Sequence, residues 1–350
     1  LGDPSMKLSY PKRKVITTNA PDTIRALDKV KIEGFVSDKN GTILPSFNGE
    51  VYPTVYDKKR LIETLNNDGE GTFQYFDRSS IIFRGKASVT NGKFSFEFVA
   101  PKDISKIFGR GKISYYATSQ NEDASGFYDS LVIGGINLNA PQDNKGPDVS
   151  LFMNDDNFVS GGITNESPDL YSELFDENGI NTAGTGVGHD IVAVLDANTA
   201  DALVLNEYYE SDLNSYQSGK IRYPFSKLKK GNHTLSLKAW DVYNNSGESQ
   251  IDFVVAESEE LALYHVLNYP NPFTTRTEFY FEHNFPGQDL QVRLQVFTVS
   301  GKLVKTIDGF YNTEGFRVGP IPWNGRDDFG DKLARGVYMY KVSVKAPNGE

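Results

Sequence analysis

The sequence predicts an all-β protein built as three consecutive β-sandwich domains, and three observations lead there. Hydrophobic residues make up 38% and aromatics 13%, with 32 Gly and 16 Pro, a balance that suits short strands joined by turns. No block rich in Ala, Leu, Glu and Lys repeats with a 3.6-residue period, so long helices are not expected. Several stretches alternate strictly instead: Phe94, Phe96 and Phe98 are separated by Ser95 and Glu97, which places one aromatic face in a core. At 350 residues the chain has room for two or three such domains.

Residues 1–13 are basic and Pro-containing and read as the tail of a preceding domain. A first sandwich is expected over 14–138, with Val30, Ile32 and Phe35 on one strand and a turn at Ser37–Gly41. Residues 51–56 form a further strand, while 58–66 fits a helical turn or a strand edge equally well. Residues 79–83, 87–90 and 93–99 read as a meander with Asn91-Gly92 as its hairpin signal, and strands at 112–117 and 130–134 bring the total to about seven. Residues 139–147 have linker composition.

The second sandwich spans 148–256, with strands at 149–153, 170–175, 191–196, 219–224, 233–241 and 249–255. Asp241, just before the turn at 243–247, is placed to cap that turn with its side chain. An acidic link at 257–260 leads into the third domain, 262–350. There Pro270 and Pro272 exclude helix interior and central strand, so 268–273 reads as a stiff lead-in to the strand at 277–283. Val292, Leu294 and Val296, then Tyr338, Tyr340, Val342 and Val344, alternate on later strands, with a turn at Ser300-Gly301 and a polar loop after Trp323.

A formal charge of −10 with no basic run argues against a nucleic-acid partner. No stretch near 18 apolar residues suggests a spanning helix, and the irregular strand spacing argues against a barrel wall. With no cysteine there is no thiol nucleophile, disulfide or thiolate metal site in these residues. The opening Leu-Gly-Asp-Pro, without an initiator Met, reads as a fragment or processed piece.

Candidate chemistry is weighed residue by residue. The run from Gly184 to Asp190 lacks the preceding strand and following helix of a phosphate loop and reads as a loop only. His189 and Asp190 have no nucleophile motif beside them, and His189, His233, His265 and His283 fit no zinc spacing. Asp155-Asp156, Asp176-Glu177-Asn178 and Asp327-Asp328 with Asp331 match no EF-hand loop and read as turn chemistry, with an irregular Ca²⁺ site at a sandwich end as the alternative; no metal and no cofactor is assigned. Trp240 and Trp323, candidates for a sugar platform, read as core or edge packing. No catalytic residue is assigned.

Three segments together carry a family resemblance: Asn268-Tyr-Pro-Asn-Pro-Phe, Val296-Phe-Thr-Val-Ser-Gly-Lys-Leu-Val, and Trp323-Asn-Gly-Arg-Asp through Gly336-Val-Tyr-Met-Tyr340. They resemble the FlgD-like immunoglobulin fold and the C-terminal sorting domains of the Bacteroidetes type IX secretion system. Residues 1–11 look like the end of a gingipain-type (C25) cysteine peptidase domain, and 146–155 with 188–191 are similar to PorU-type cell-surface sortases. The resemblance implies three immunoglobulin-like sandwiches forming the non-catalytic C-terminal part of such a sortase. The parent would cleave sorting signals from secreted cargo and attach the cargo to lipopolysaccharide, with its Cys/His pair upstream of Leu1.

It further implies a peripheral place on the outer face of the outer membrane and docking of the third domain on the barrel protein PorV. PorQ and PorZ are expected neighbours, and Pro270, Asn271, Pro272 and Phe273 are the candidate docking residues. Sorting domains of this type end in one more Lys-rich apolar strand, whereas 348–350 carry a turn signal. Two rival readings stand beside this one: a secreted cargo protein, an adhesin or C25 protease, with a cleavable last domain, and a carbohydrate-binding sandwich array.

Overall fold

The structure, a computed structural model, describes residues 10–67, 69–183, 188–255, 263–285, 287–312 and 315–346. Of the segments singled out above, 1–9, 184–187, 257–260 and 348–350 lie outside the described residues. Among those described, regular structure is β throughout, apart from single 3-10 turns at Thr199–Asp201 and Asn206–Tyr208. The fold is all-β, an array of sandwiches with three apolar cores and, among the described residues, a small fourth cluster of Val99, Val242 and Tyr243 between the first two.

The first core is covered by a large sheet in the order Ile81–Arg84, Gly49–Tyr56, Lys112–Ser119, Asp123–Tyr128, Arg13–Asn19, Lys29–Ser37, Lys93–Val99. A separate small sheet of Gly109–Arg110, Val132–Ile136 and Thr23–Ala26 adds Ile24, Ala26 and Ile133 to the same core. Phe94, Phe96 and Phe98 are buried as their alternation requires, and Phe83 stacks on Phe98 at 4.5 Å. The expected meander is not formed. Ile81–Arg84 and Ala87–Val89 both pair with Gly49–Tyr56, whereas Lys93–Val99 pairs with Lys29–Ser37 and sets Phe96 opposite Ile32 and Phe98 opposite Val30. Those cross-strand apolar pairs favour the distant partner over the adjacent strand.

The hairpin at Asn91-Gly92 does form, with φ of 51° and 76° and paired bonds between Thr90 and Lys93 of 2.9 and 3.0 Å. Positive φ at both central residues is what a two-residue turn of this twist needs. The ambiguous stretch 58–66 resolves as strand Arg60–Glu63, paired only with Gln74–Asp77 and exposing Leu61 and Phe76. Between Arg13 and Ile136 the described residues hold thirteen strands rather than about seven. Strands of two to four residues are too short to show a period in sequence.

In the second domain, Asp148–Met153, Asp169–Phe175, Ser218–Pro224 and Tyr209–Ser211 form one sheet. Facing it are Gly162–Thr164, Ser246–Val255, Gly231–Trp240, Val192–Leu195 and Leu203–Val204. The linker is packed rather than loose: a Cβ on Gly247 would overlap the carbonyl of Pro147. The third domain sets Leu263–Tyr269, Thr277–His283 and Arg317–Trp323 against Leu303–Asn312, Asp289–Thr298 and Tyr338–Lys345.

The first two domains meet through specific groups. Asn214 donates to Ser88 Oγ at 2.9 Å and accepts from Ser88 N at 2.8 Å, and Arg84 pairs with Glu207 at 3.0 Å. Asp103 accepts from Asn244 Nδ2 at 2.6 Å and also meets His189 Nδ1, while Lys102 N donates to Val242 O at 2.9 Å.

Candidate functional site

The Pro-rich stretch is the turn of a hairpin rather than only a lead-in. Leu263–Tyr269, which the sequence did not show as a strand, runs antiparallel to Thr277–His283, and 270–276 joins them. Both Tyr269-Pro270 and Asn271-Pro272 are cis. Thr277, fully buried, holds the turn closed: its Oγ1 donates to Pro270 O at 2.9 Å and accepts from Asn268 Nδ2 at 3.0 Å.

The four candidate docking residues divide into two kinds. Pro270, Asn271 and Pro272 are exposed, whereas Phe273 is half-buried with its ring 5.5 Å from that of Trp323. Trp323 is 5% exposed and is packed in turn by Phe279 at 6.3 Å and Tyr338 at 6.2 Å, and Tyr340 packs on Phe279 at 4.9 Å. Trp323 Nε1 donates to Arg326 O at 2.9 Å, as a buried indole must find an acceptor. The first and third segments that carry the resemblance thus meet in one aromatic cluster, and the second adds Val296 and Val304 to the same core.

The polar loop after Trp323 is held by its own carboxylates. Asp327 Oδ1 accepts from Phe329 N at 3.0 Å and Asp331 N at 2.8 Å, and Asp328 accepts from Thr306 N at 3.2 Å and pairs with Lys305 at 3.1 Å. Asp155 Oδ1 likewise accepts from Asn157 N at 2.9 Å. These are turn chemistry.

Each candidate tryptophan and histidine is engaged within the fold. Trp240 has His189 at 4.5 Å and Lys238 Nζ at 4.5 Å over its rings. His189 meets Asp103 of the first domain, a partner 86 residues away that its neighbour Asp190 gave no hint of. His233 lies 2.8 Å from Asp196 and His265 2.9 Å from Glu282. His283 is fully buried, and that burial pushes its pKa down to about 4.

Among the described residues one set of three side chains is close enough to hold a cation jointly: Asp143, Asp176 and Asp241, whose carboxylate oxygens lie within 4.8 Å of one another. Asp241 Oδ1 accepts from Tyr243 N at 2.9 Å and Asn245 N at 2.7 Å, the turn cap expected from its position. Burial, only partly offset by Asn245, pushes its pKa up to about 6, and burial raises that of Asp176 as well. For Asp143 burial acts upward too, but bonds from Lys145 N, Asn178 Nδ2 and Asp241 outweigh it and the net direction is down. Sequence reasoning singled out Asp176 and Asp241 separately; only the folded linker brings Asp143 to them.

No family model and no curated protein matches the sequence. Among solved structures, the chain is similar to a dimeric latent PorU from Porphyromonas gingivalis. Identity is 30% over 100% of this chain and 34% of that one, with a TM-score of 0.46. The chain therefore spans about a third of the length of that protein. Fibronectin(III)-like modules of CbhA from Clostridium thermocellum match 69% of this chain and 93% of theirs at 14% identity, with a TM-score of 0.20. The FN1–FN3 domains of chicken CNTN1 match 96% of this chain and 92% of theirs at 9% identity, with a TM-score of 0.23. At such TM-scores the superpositions add nothing to the fold described above, which rests on the chain's own strands.

Proposed function

We propose that this chain is the non-catalytic C-terminal region of a PorU-like cell-surface sortase. Its work is placement: the sandwiches carry a peptidase domain that precedes them and dock the assembly at the outer membrane through the third domain. With no cysteine in the sequence, the thiol chemistry belongs to that preceding C25-type domain. The parent cleaves sorting signals from type IX cargo and joins the cargo to lipopolysaccharide. Pro270, Asn271 and Pro272 form the part of the docking surface that a barrel partner of the PorV type touches, with PorQ and PorZ beside it. Phe273 serves by anchoring that turn.

The observation that carries this reading is the meeting of three distant segments, around Phe273, Val296 and Trp323–Tyr340, in one core with the proline turn left bare. The identity to PorU along the whole chain points the same way. Trp323 is buried and Trp240 is covered, so neither offers the open ring that a tryptophan-based sugar array would need.

The test is recovery of outer-membrane proteins by the full chain and by a triple variant, Pro270→Ala, Asn271→Ala and Pro272→Ala. The expected result is a β-barrel protein retained by the first and reduced at least tenfold with the second. Equal recovery sinks the docking role. Mass spectrometry of the surface-exposed parent is expected to find residues beyond 262 retained; their loss would make this a cargo with a cleavable address.

A further inference from the structure

A cleft apart from the proline turn takes in Asp156, one of the acidic pair singled out in the sequence. It has a volume of about 580 Å³ and opens between the loop 156–160 of the second domain and the outer face of the third domain's Leu263–Tyr269, Thr277–His283, Arg317–Trp323 sheet. The pairing register explains why these residues share a face. Leu267 is opposite Tyr280, Tyr269 opposite Glu278, and Glu282 opposite Arg317, while Phe279, Phe281 and Val318 point inward to the core.

The floor of the cleft is aromatic and its ring positions are fixed. Tyr280 donates its hydroxyl to Glu278 Oε2 at 2.8 Å, and its ring lies over Gly319, where a Cβ would come within 2.5 Å of Cδ1. Gly319 has φ of +137°, so a side chain there is disfavoured twice over. Tyr269, 72% exposed, stands at the end of the neighbouring strand and lines the same cleft. The Arg317 guanidinium sits 4.9 Å from the Tyr280 ring centroid, and no carboxylate or carbonyl among the described residues accepts from it. Glu282, its cross-strand neighbour, is bonded to His265 instead. Across the gap, Asp156 and Asn157 offer planar polar groups, joined to each other at 3.2 Å.

We propose that this cleft binds a saccharide bearing an acidic group. The ring faces of the sugar would lie on Tyr269 and Tyr280, its anionic substituent on the free fork of Arg317, and its hydroxyls on Asp156 and Asn157. Each assignment follows from chemistry. Aromatic faces take up the C–H faces of a sugar ring without demanding a hydrogen bond, and a guanidinium with unused donors binds carboxylate or phosphate in a bidentate way. The volume falls within the range of small-ligand sites.

A peptide is the poorer occupant. The cleft lies over a sheet face, and backbone N–H and C=O groups point along the plane of a sheet, so an added strand would find nothing to pair with. Nucleic acid is a poorer occupant too: the chain carries a net charge of −10, and Arg317 is the one cation among the described residues that line the cleft. The inference does not depend on the sortase reading and goes beyond it.

The experiment is binding of the full chain to an immobilised glycan panel of uronic-acid, phosphorylated and neutral oligosaccharides, with trigalacturonate and maltotriose titrated in solution. Acidic members are expected to bind, and maltotriose at least tenfold more weakly than its acidic counterpart. Arg317→Gln is expected to weaken acidic binding at least tenfold, and Tyr269→Ala about fivefold. Both side chains lie outside the core, and unchanged urea midpoints will show that the variants fold. Binding of no member, preference for neutral ones, or indifference to both substitutions overturns the proposal. Equal competition by free acetate reduces the site to a simple anion contact and overturns it too.

Discussion

The second and third domains should respond to acid in opposite directions over the same pH range. Asp241 has a folded pKa of about 6 against an ordinary 3.8, so the folded second domain holds that proton more tightly than the unfolded chain does. Its stability is therefore greatest below pH 3.8 and falls as pH rises towards 6. The difference of about 2.2 pH units is worth about 3 kcal/mol at 1.36 kcal/mol per unit. Asp176, also raised, acts in the same sense, and Asp143, lowered, titrates below that range. His283 is the converse: its pKa falls from 6.5 to about 4, so the third domain is most stable above pH 6.5 and weakens as pH falls to 4. The full effect is again about 3 kcal/mol.

The two tryptophans separate the signals. Trp323→Phe leaves Trp240, beside Asp241, to report the second domain, and Trp240→Phe leaves Trp323, in the core beside Phe279, to report the third. Urea unfolding at pH 7.5 and 4.5, with a chelator so that only protons titrate, should raise the Trp240 midpoint and lower the Trp323 midpoint. Each change is about 2 kcal/mol of the full 3, or about 1 M urea. Asp241→Asn should flatten the first trend and His283→Gln the second. Trends of the same sign, or trends that survive both substitutions, would refute the reasoning.

Three further outcomes follow from packing. Phe273→Ala should cost the third domain about 2 kcal/mol, less than a fully buried Phe, whereas Asn271→Ala should stay within about 0.5 kcal/mol, both read from the Trp323 urea midpoint. Asp103→Ala removes bonds to both Asn244 and His189, and should destabilise the joined first and second domains by about 1–3 kcal/mol. A double-mutant cycle with Asn244→Ala should give a coupling above about 0.5 kcal/mol. Gly247→Ala places a Cβ on the Pro147 carbonyl, and should cost about 1–3 kcal/mol while loosening hydrogen-exchange protection around Asp148.

Which of these features could be read in the sequence depends on how local their cause is. The Phe94, Phe96, Phe98 stripe, the Asn91-Gly92 turn and the Asp241 cap are each decided by neighbours within a few residues, and each is found in the structure. The strand Leu263–Tyr269 was hidden because its register shifts between Tyr264 and Leu267, where His265 has φ of +44°, and the bulge breaks the alternation that marks a strand. The pairing of Lys93–Val99 with Lys29–Ser37 was hidden because adjacency in sequence competes with better packing further away. The Arg317 cleft joins residues near 157 to residues near 269 and 317, and no local pattern announces such a meeting.

The aromatic cluster around Trp323 has a consequence for how such chains are compared. The residues that make the last domain recognisable, Phe273, Trp323, Tyr338 and Tyr340, are spent on holding its two sheets together. A signature written in packing survives drift in whatever the surface recognises, because replacing it costs the domain stability before it changes a preference. Two chains can therefore share the motif and serve different hosts, and the differences that matter will be found in bare positions such as Asn271 and Tyr269.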